Sequence, residues 1–345
     1  MADFTSALYL GMRHPSAALD AWEALTLGRP AALQEAPGAL DLAAALARLQ
    51  GCQAATLLPS TLHLFWDLFG MLAREPVAIL IDGGAYPIAR WGADRARALG
   101  ATLHVFPRGA APVALQLARR AQKCGRRPVI LADGYCPGSR SWPPLSAYAR
   151  IAATGAGYLV LDDTQVLGLF GPGGGGSVPR HGLAGENVIV GASLAKSFGV
   201  PLAVLAGSRA VLQRFDACSQ IRLHTSPPSV AAIQAGHHAL AVNLASGAAL
   251  RQLLCQRIVQ LQQGLAHIGI ECRGGCFPVQ TLLLGPAIDG RALHAALARR
   301  GVNTLLQSAG GAAFISFLLR ADHRPCDIEH AVAALHHLHQ LSEAA

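Results

Sequence analysis

Short, uninterrupted aliphatic runs recur through the first two-thirds of the chain, and several stop on a carboxylate. Val77-Ala78-Ile79-Leu80-Ile81 stops at Asp82, Val129-Ile130-Leu131-Ala132 at Asp133, and Tyr158-Leu159-Val160-Leu161 at Asp162. Thr102–Phe106, Asn187–Gly191 and Leu202–Ala206 continue the series, with Ala/Leu/Arg-rich helical stretches between. A strand apolar at every position, rather than at every second one, is buried on both faces, which means a parallel or mixed sheet with helices on either side. Such sheets collect ligands at the carboxyl ends of their strands, where Asp82, Asp133 and Asp162 fall.

From about Pro228 the character changes. A long helical run extends to about His267, and strands Val279–Leu284 and Ala313–Leu319 bracket a helix over Gly290–Arg300. A terminal helix begins near Asp327. The pattern predicts a large α/β domain over 30–230 and a small α+β domain over 231–345, with the segment 1–29 packing on the small domain. The glycine run Gly173–Gly176 lacks a following Lys-Ser/Thr pair, so it reads as a flexible surface loop and not a phosphate loop.

Composition narrows the function. With 345 residues, 52% hydrophobic and 14% charged, the chain is neither disordered nor a disulfide mini-scaffold. Its net charge of +8 comes from scattered arginines that never lengthen into a basic run, which argues against nucleic acid. The apolar stretches are too short to span a bilayer, and Met1-Ala2-Asp3-Phe4 is not the start of a signal peptide. Eight cysteines without paired Cys-x-x-Cys spacing suit reduced thiols in a cytoplasmic protein. Cys272-x-x-x-Cys276 stands alone and His336-His337-x-His339 reads as the exposed face of a helix, so no metal site is expected. Of 28 lysines and arginines only Lys123 and Lys196 are lysines. Lys123 sits in a polar run. Lys196 follows a strand and the small-residue turn Gly191-Ala192-Ser193, where desolvation lowers an amine's pKa and frees a nucleophile. A buried amine, with Asp162 at the end of the preceding strand, is the pairing that a pyridoxal phosphate (PLP) site uses.

Four segments carry a family resemblance: Phe4–Met12, Asp162–Gly171, Ser193–Gly199 and His224–Pro228. Together, and in this order, they resemble the α-oxoamine synthases. That group of fold-type I PLP enzymes includes 8-amino-7-oxononanoate synthase and 2-amino-3-ketobutyrate CoA ligase. The second segment answers to the family's Asp-Asp-Ala-His-x-x-Gly-x-x-Gly, and the third to its Thr/Ser-x-x-Lys-x-x-Gly. The resemblance implies that Lys196 is the aldimine lysine and Asp162 the partner of the pyridine nitrogen. It implies that Ser193, Ser60 and Thr61 bind the phosphate, that Tyr86 covers the ring, and that Asp133 lies behind it. Thr225 and Ser226 would approach the phosphate across a homodimer with shared sites.

The chain also departs from the family. Gln165 stands where the family has histidine; its amide donates a hydrogen bond but cannot carry a proton. The strand that would supply the carboxylate-binding arginine reads Phe314 and Ser316 at the corresponding positions. Arg320 at its end, Arg29 and Arg90 become the candidates for that fork-shaped contact. The family's N-terminal helix is not in this sequence. The resemblance implies a PLP-dependent condensation of an amino acid with an acyl-CoA or carrier-bound acyl thioester. An aminotransferase or other amine-processing enzyme on a non-standard substrate is the second reading, and a degenerate homologue serving as a partner subunit the third.

Overall fold

The computed structural model describes residues 1–137, 141–183, 185–285, 288–309 and 312–343. The chain divides into two compact units. The larger comprises Arg13–Cys136 and Trp142–Ala245; the smaller joins Met1–Met12, Pro137 and Ser141 to the chain from Ser246 onward. Only the first twelve residues of the segment 1–29 therefore belong with the smaller unit, and the long helix Val230–His267 passes from one unit into the other.

The larger unit is built on seven strands: β1 (Ala54–Leu58), β2 (Val77–Asp82), β3 (Thr102–Phe106), β4 (Arg127–Asp133), β5 (Tyr158–Asp162), β6 (Val188–Ser193) and β7 (Ala203–Gly207). Their spatial order is β1-β7-β6-β5-β4-β2-β3, and β7 alone runs against the others. Successive residues of one strand enter opposite cores. Ile79, Ile81, Val129, Leu131 and Val160 pack under helices Thr61–Leu72 and Pro87–Ala98. Leu80, Ile130, Ala132, Leu159 and Leu161 pack under helices Ala111–Lys123 and Leu145–Thr154. That is why the strands read as continuous apolar runs. The two helices on the first face approach closely because Gly92 has no side chain; a Cβ there would sit 2.5 Å from the Phe65 carbonyl oxygen.

One expectation is overturned. The glycine run is a packed turn and not a flexible surface loop: Gly174, Gly175 and Gly176 are all buried. A Cβ on Gly175 would lie 2.1 Å from the Leu49 carbonyl, and one on Gly176 2.1 Å from an Asp163 oxygen. Glycine is required there for close approach, not for mobility.

The smaller unit holds a four-stranded antiparallel sheet ordered β10-β11-β9-β8, from β8 (Glu271–Arg273), β9 (Val279–Leu283), β10 (Leu305–Ala309) and β11 (Ala312–Leu318). β8, β10 and β1 escape the sequence pattern because they are short or mix polar with apolar residues. Ala2–Asp3 pairs in parallel with Val302–Asn303, and Phe4 packs against Phe317 with ring centroids 5.2 Å apart. His336 and His337 are exposed on the helix Pro325–Glu343, and the side chain of His339 lies outside the described residues. No described helix is long and apolar enough to cross a membrane.

Candidate active site

Strand register assembles the site at the carboxyl edge of the large sheet. Asp133 and Asp162 are direct partners across β4 and β5, and Asp162 pairs with Gly191 across β5 and β6. On the other side, Leu58, Ala203 and Ser193 form one row across β1, β7 and β6. Ser60 lies two residues past Leu58, beyond the end of β1 and at the same edge of the sheet as Ser193. A helix seats itself close to β6 because position 191 is glycine; a Cβ there would meet Leu64 at 2.8 Å.

Lys196 occupies the connection between β6 and β7, which Leu194 closes by donating its N–H to the Leu202 carbonyl at 2.8 Å. Burial pushes its amine below the usual lysine range, against the opposing pull of the Asp162 and Asp133 carboxylates. Asp162 is buried, which raises its carboxyl; the hydroxyl and backbone N–H of Thr164, and then Lys196, act the other way. Asp133 is held well above the ordinary carboxylate range by burial first and by the charge of Asp162 second. The backbone N–H of Tyr86 donates to its Oδ1 at 3.0 Å, while the Tyr86 side chain is exposed. One half-buried amine thus lies within electrostatic reach of two buried carboxylates on adjacent strands.

The surrounding polar groups are fixed. Ser60 caps the helix Thr61–Leu72, accepting from the His63 N–H at 3.5 Å, and its Oγ lies 2.8 Å from His63 Nδ1. Thr61 begins that helix, whose unpaired N–H groups suit an anion. Ser193 Oγ accepts from the Ala195 N–H at 3.2 Å. Gln165 is half-buried in the turn after Thr164. That turn and the lysine loop touch at Gly168, whose φ is +88° and whose Cβ would lie 2.4 Å from Ser197 Cβ. Asp163 is the buried anchor beneath: it accepts from the Ser177 N–H at 2.7 Å and from the Ser177 hydroxyl, and burial raises its carboxyl to about 6.

Other predicted positions are engaged elsewhere. The Thr225 hydroxyl donates to the Ile221 carbonyl at 2.7 Å, and Ser226 is exposed. Arg90 holds the turn of residues 83–85, donating to the Ala85 and Gly83 carbonyls at 2.9 and 2.8 Å. Arg29 is exposed and donates to Gln34 Oε1 at 2.9 Å. Arg320, in the smaller unit, donates to Asp322 Oδ1 at 2.9 Å and to the Asp3 carbonyl at 3.2 Å. Sequence reasoning missed Thr164 and His63. A hydroxyl two residues past a strand-end aspartate was the available signal for the first; the second follows only from the cap.

The donor set fits PLP: a depressed amine for its aldehyde, a carboxylate for its ring nitrogen, and a helix N-terminus with two serines for its phosphate. Comparison with known proteins agrees on the fold. An 8-amino-7-oxononanoate synthase from Halorhodospira halophila is 32% identical over 219 residues, 61% of this chain and 54% of that protein. The chain thus spans about half the length of that curated relative. A serine palmitoyltransferase from S. paucimobilis, solved with a bound PLP–myriocin aldimine, superposes with a TM-score of 0.86 at 15% identity, covering 99% of this chain and 88% of that one. An 8-amino-7-oxononanoate synthase from Francisella tularensis gives 0.78 at 16% identity over 99% of both chains. Residues 143–335, more than half of the chain, match the family model described as aminotransferase class I and II. By that match the chain belongs to the aminotransferase class I and II family.

Proposed function

We propose that this protein is a PLP-dependent transferase of the α-oxoamine synthase type, joining an amino acid to an acyl-CoA or carrier-bound acyl thioester. The observation that carries the reading is the half-buried Lys196 amine, depressed by burial and acted on by Asp162 and Asp133. PLP, when bound, supplies an electron sink for the carbanion formed beside the amino group. Asp162 holds a proton at the pyridine nitrogen, and Lys196 supplies the amine that holds the cofactor and then moves the proton at the substrate α-carbon. Ser60, Thr61 and Ser193 bind the phosphate, Tyr86 covers the ring, and Gln165 donates to the ring oxygen. Arg29, Arg90 and Arg320 are the candidates for holding the substrate carboxylate. The 8-amino-7-oxononanoate synthase relatives support the reaction class. The working form is a cytoplasmic homodimer, with Thr225 and Ser226 reaching the partner's site. The exposure of Ser226 is compatible with this.

The test is direct. Purified protein given PLP develops visible absorption that Lys196→Ala abolishes, and it releases free thiol from acyl thioesters only when an amino acid is present. If the wild-type protein acquires no such absorption, the cofactor reading is wrong. Gln165, which cannot relay a proton, favours a second reading, transamination. In that case amino acids yield oxo acids and no thiol appears.

A further inference from the structure

We propose that His14 is a positioning residue that pins the lysine loop, and that His238 sets the tautomer with which it does so. The inference rests on the reading of Lys196 as the cofactor-holding amine. It concerns two histidines outside the four segments that carry the resemblance. His14 Nε2 lies 2.7 Å from the carbonyl oxygen of Phe198, two residues past Lys196. Its other ring nitrogen, Nδ1, lies 2.8 Å from Nδ1 of His238 on the helix Val230–His267, and the two rings stand at 89° to each other. All three residues belong to the larger unit, although the contacts join positions 184 and 224 residues apart.

Counting protons orients the relay. A carbonyl oxygen only accepts, so His14 Nε2 carries a proton. A neutral imidazole has one N–H, which leaves His14 Nδ1 as an acceptor. The contact between the two Nδ1 atoms needs one proton, and His238 supplies it. His238 therefore donates to His14, and His14 donates to Phe198. The loop closes at its base through backbone bonds: the Leu194 N–H donates to the Leu202 carbonyl at 2.8 Å, and the Val200 N–H to the Leu194 carbonyl at 3.2 Å. Phe198 lies between those anchors and is fully buried, so its carbonyl needs a partner from elsewhere in the chain. His14 is that partner, and it holds the middle of the loop, beside the residue that carries the amine.

The test begins with the tautomers. In cofactor-free wild-type protein with 15N-labelled histidine, at a pH where the imidazoles are neutral, His14 should carry its proton on Nε2 and His238 on Nδ1. The opposite tautomer at His14 overturns the proposal. His14→Leu then removes both contacts, whereas His14→Gln offers one donor and one acceptor on a single planar amide. The chain's two lysines supply the functional readout. Acetylation by acetic anhydride is followed across pH by mass spectrometry, with exposed Lys123 as the internal reference. The Lys196 midpoint is expected to rise by about one pH unit in His14→Leu, as the loosened loop lets water reach the amine, and to stay near wild type in His14→Gln. The Lys123 midpoint stays fixed in both. The PLP dissociation constant rises about tenfold in His14→Leu and stays within about threefold in His14→Gln. A leucine variant that is less stable but keeps the wild-type Lys196 midpoint and PLP affinity overturns the proposal, as does a glutamine variant that behaves like the leucine one. If His14→Leu does not fold, His238→Leu removes the donor and leaves His14 in place; a smaller shift of Lys196 in the same direction is expected, and no shift overturns the proposal. Neither the NMR nor the acetylation needs cofactor. A wild-type protein that binds no PLP therefore defeats the cofactor reading alone and leaves the His14 contact to be judged by those two measurements.

Discussion

Asp82 and Asp162 end two apolar strands of one sheet, β2 and β5 with β4 between them, in the same way, yet the fold puts them to different uses. The Asp82 carboxylate is fully taken up by its own framework. Its Oδ1 accepts from the Gly84 N–H at 2.8 Å, and its Oδ2 from the Gly109 N–H at 2.9 Å and the Tyr148 hydroxyl at 2.6 Å. Asp162 is as buried, but its carboxylate accepts from the Thr164 N–H at 3.0 Å, and the charge it faces is Lys196. A strand-end carboxylate saturated by backbone and hydroxyl donors fixes a turn; one left facing an amine is available for chemistry.

Paired substitutions break that comparison most sharply. Asp162→Asn should lower turnover by about a hundredfold or more while leaving the fold intact, because it removes a charge aimed at the reacting group. Asp82→Asn should do the reverse. It places an amide donor against two donors, costs about 3 kcal/mol in denaturant unfolding, and leaves turnover per folded molecule near wild type. If both variants lose activity without losing stability, the distinction between the two corners is wrong.

The next contrast is in pH. Asp163 titrates near 6 in the folded chain, above the usual 3.8. A raised carboxyl pKa favours folding only while the group is protonated. Its contribution is therefore complete below about pH 4 and is lost as pH rises through 6, by about 3 kcal/mol in total. Wild type and Asp163→Asn should therefore diverge in stability between pH 4 and 6, with the wild type falling relative to the variant. Parallel melting curves across that range would count against a strained buried carboxylate at this position.

The smallest effect concerns the arginines. Arg320 pairs with Asp3 and Asp322, two partly exposed carboxylates, so Arg320→Ala should cost no more than about 1 kcal/mol of stability. With those donors occupied, the substrate KM should stay within about threefold, less than the loss of one charge-assisted hydrogen bond would produce. A rise beyond tenfold would instead make Arg320 the carboxylate clamp and set the smaller unit beside Asp162 in function.

Much of this was legible because it is local. The continuous apolar strands, Asp162 at a strand end and Lys196 after a small-residue turn depend on nearest neighbours and side-chain period, which sequence carries directly. The glycine run was misjudged because its necessity comes from Leu49 and Asp163, partners distant in sequence. β10 stayed hidden because Gln307 and Ser308 interrupt its apolar character, and its pairing to β11 decides its conformation.

The sequence by itself determined the class of sheet, and with only two lysines it left one placed for the amine chemistry. Tertiary structure alone decided which carboxylates face that lysine, that His14 reaches the lysine loop, and that Arg90 and Arg320 are already engaged. The physical reason is that a side chain's burial and hydrogen-bond partners come from strand register and turn contacts, which bring together residues that no local pattern relates.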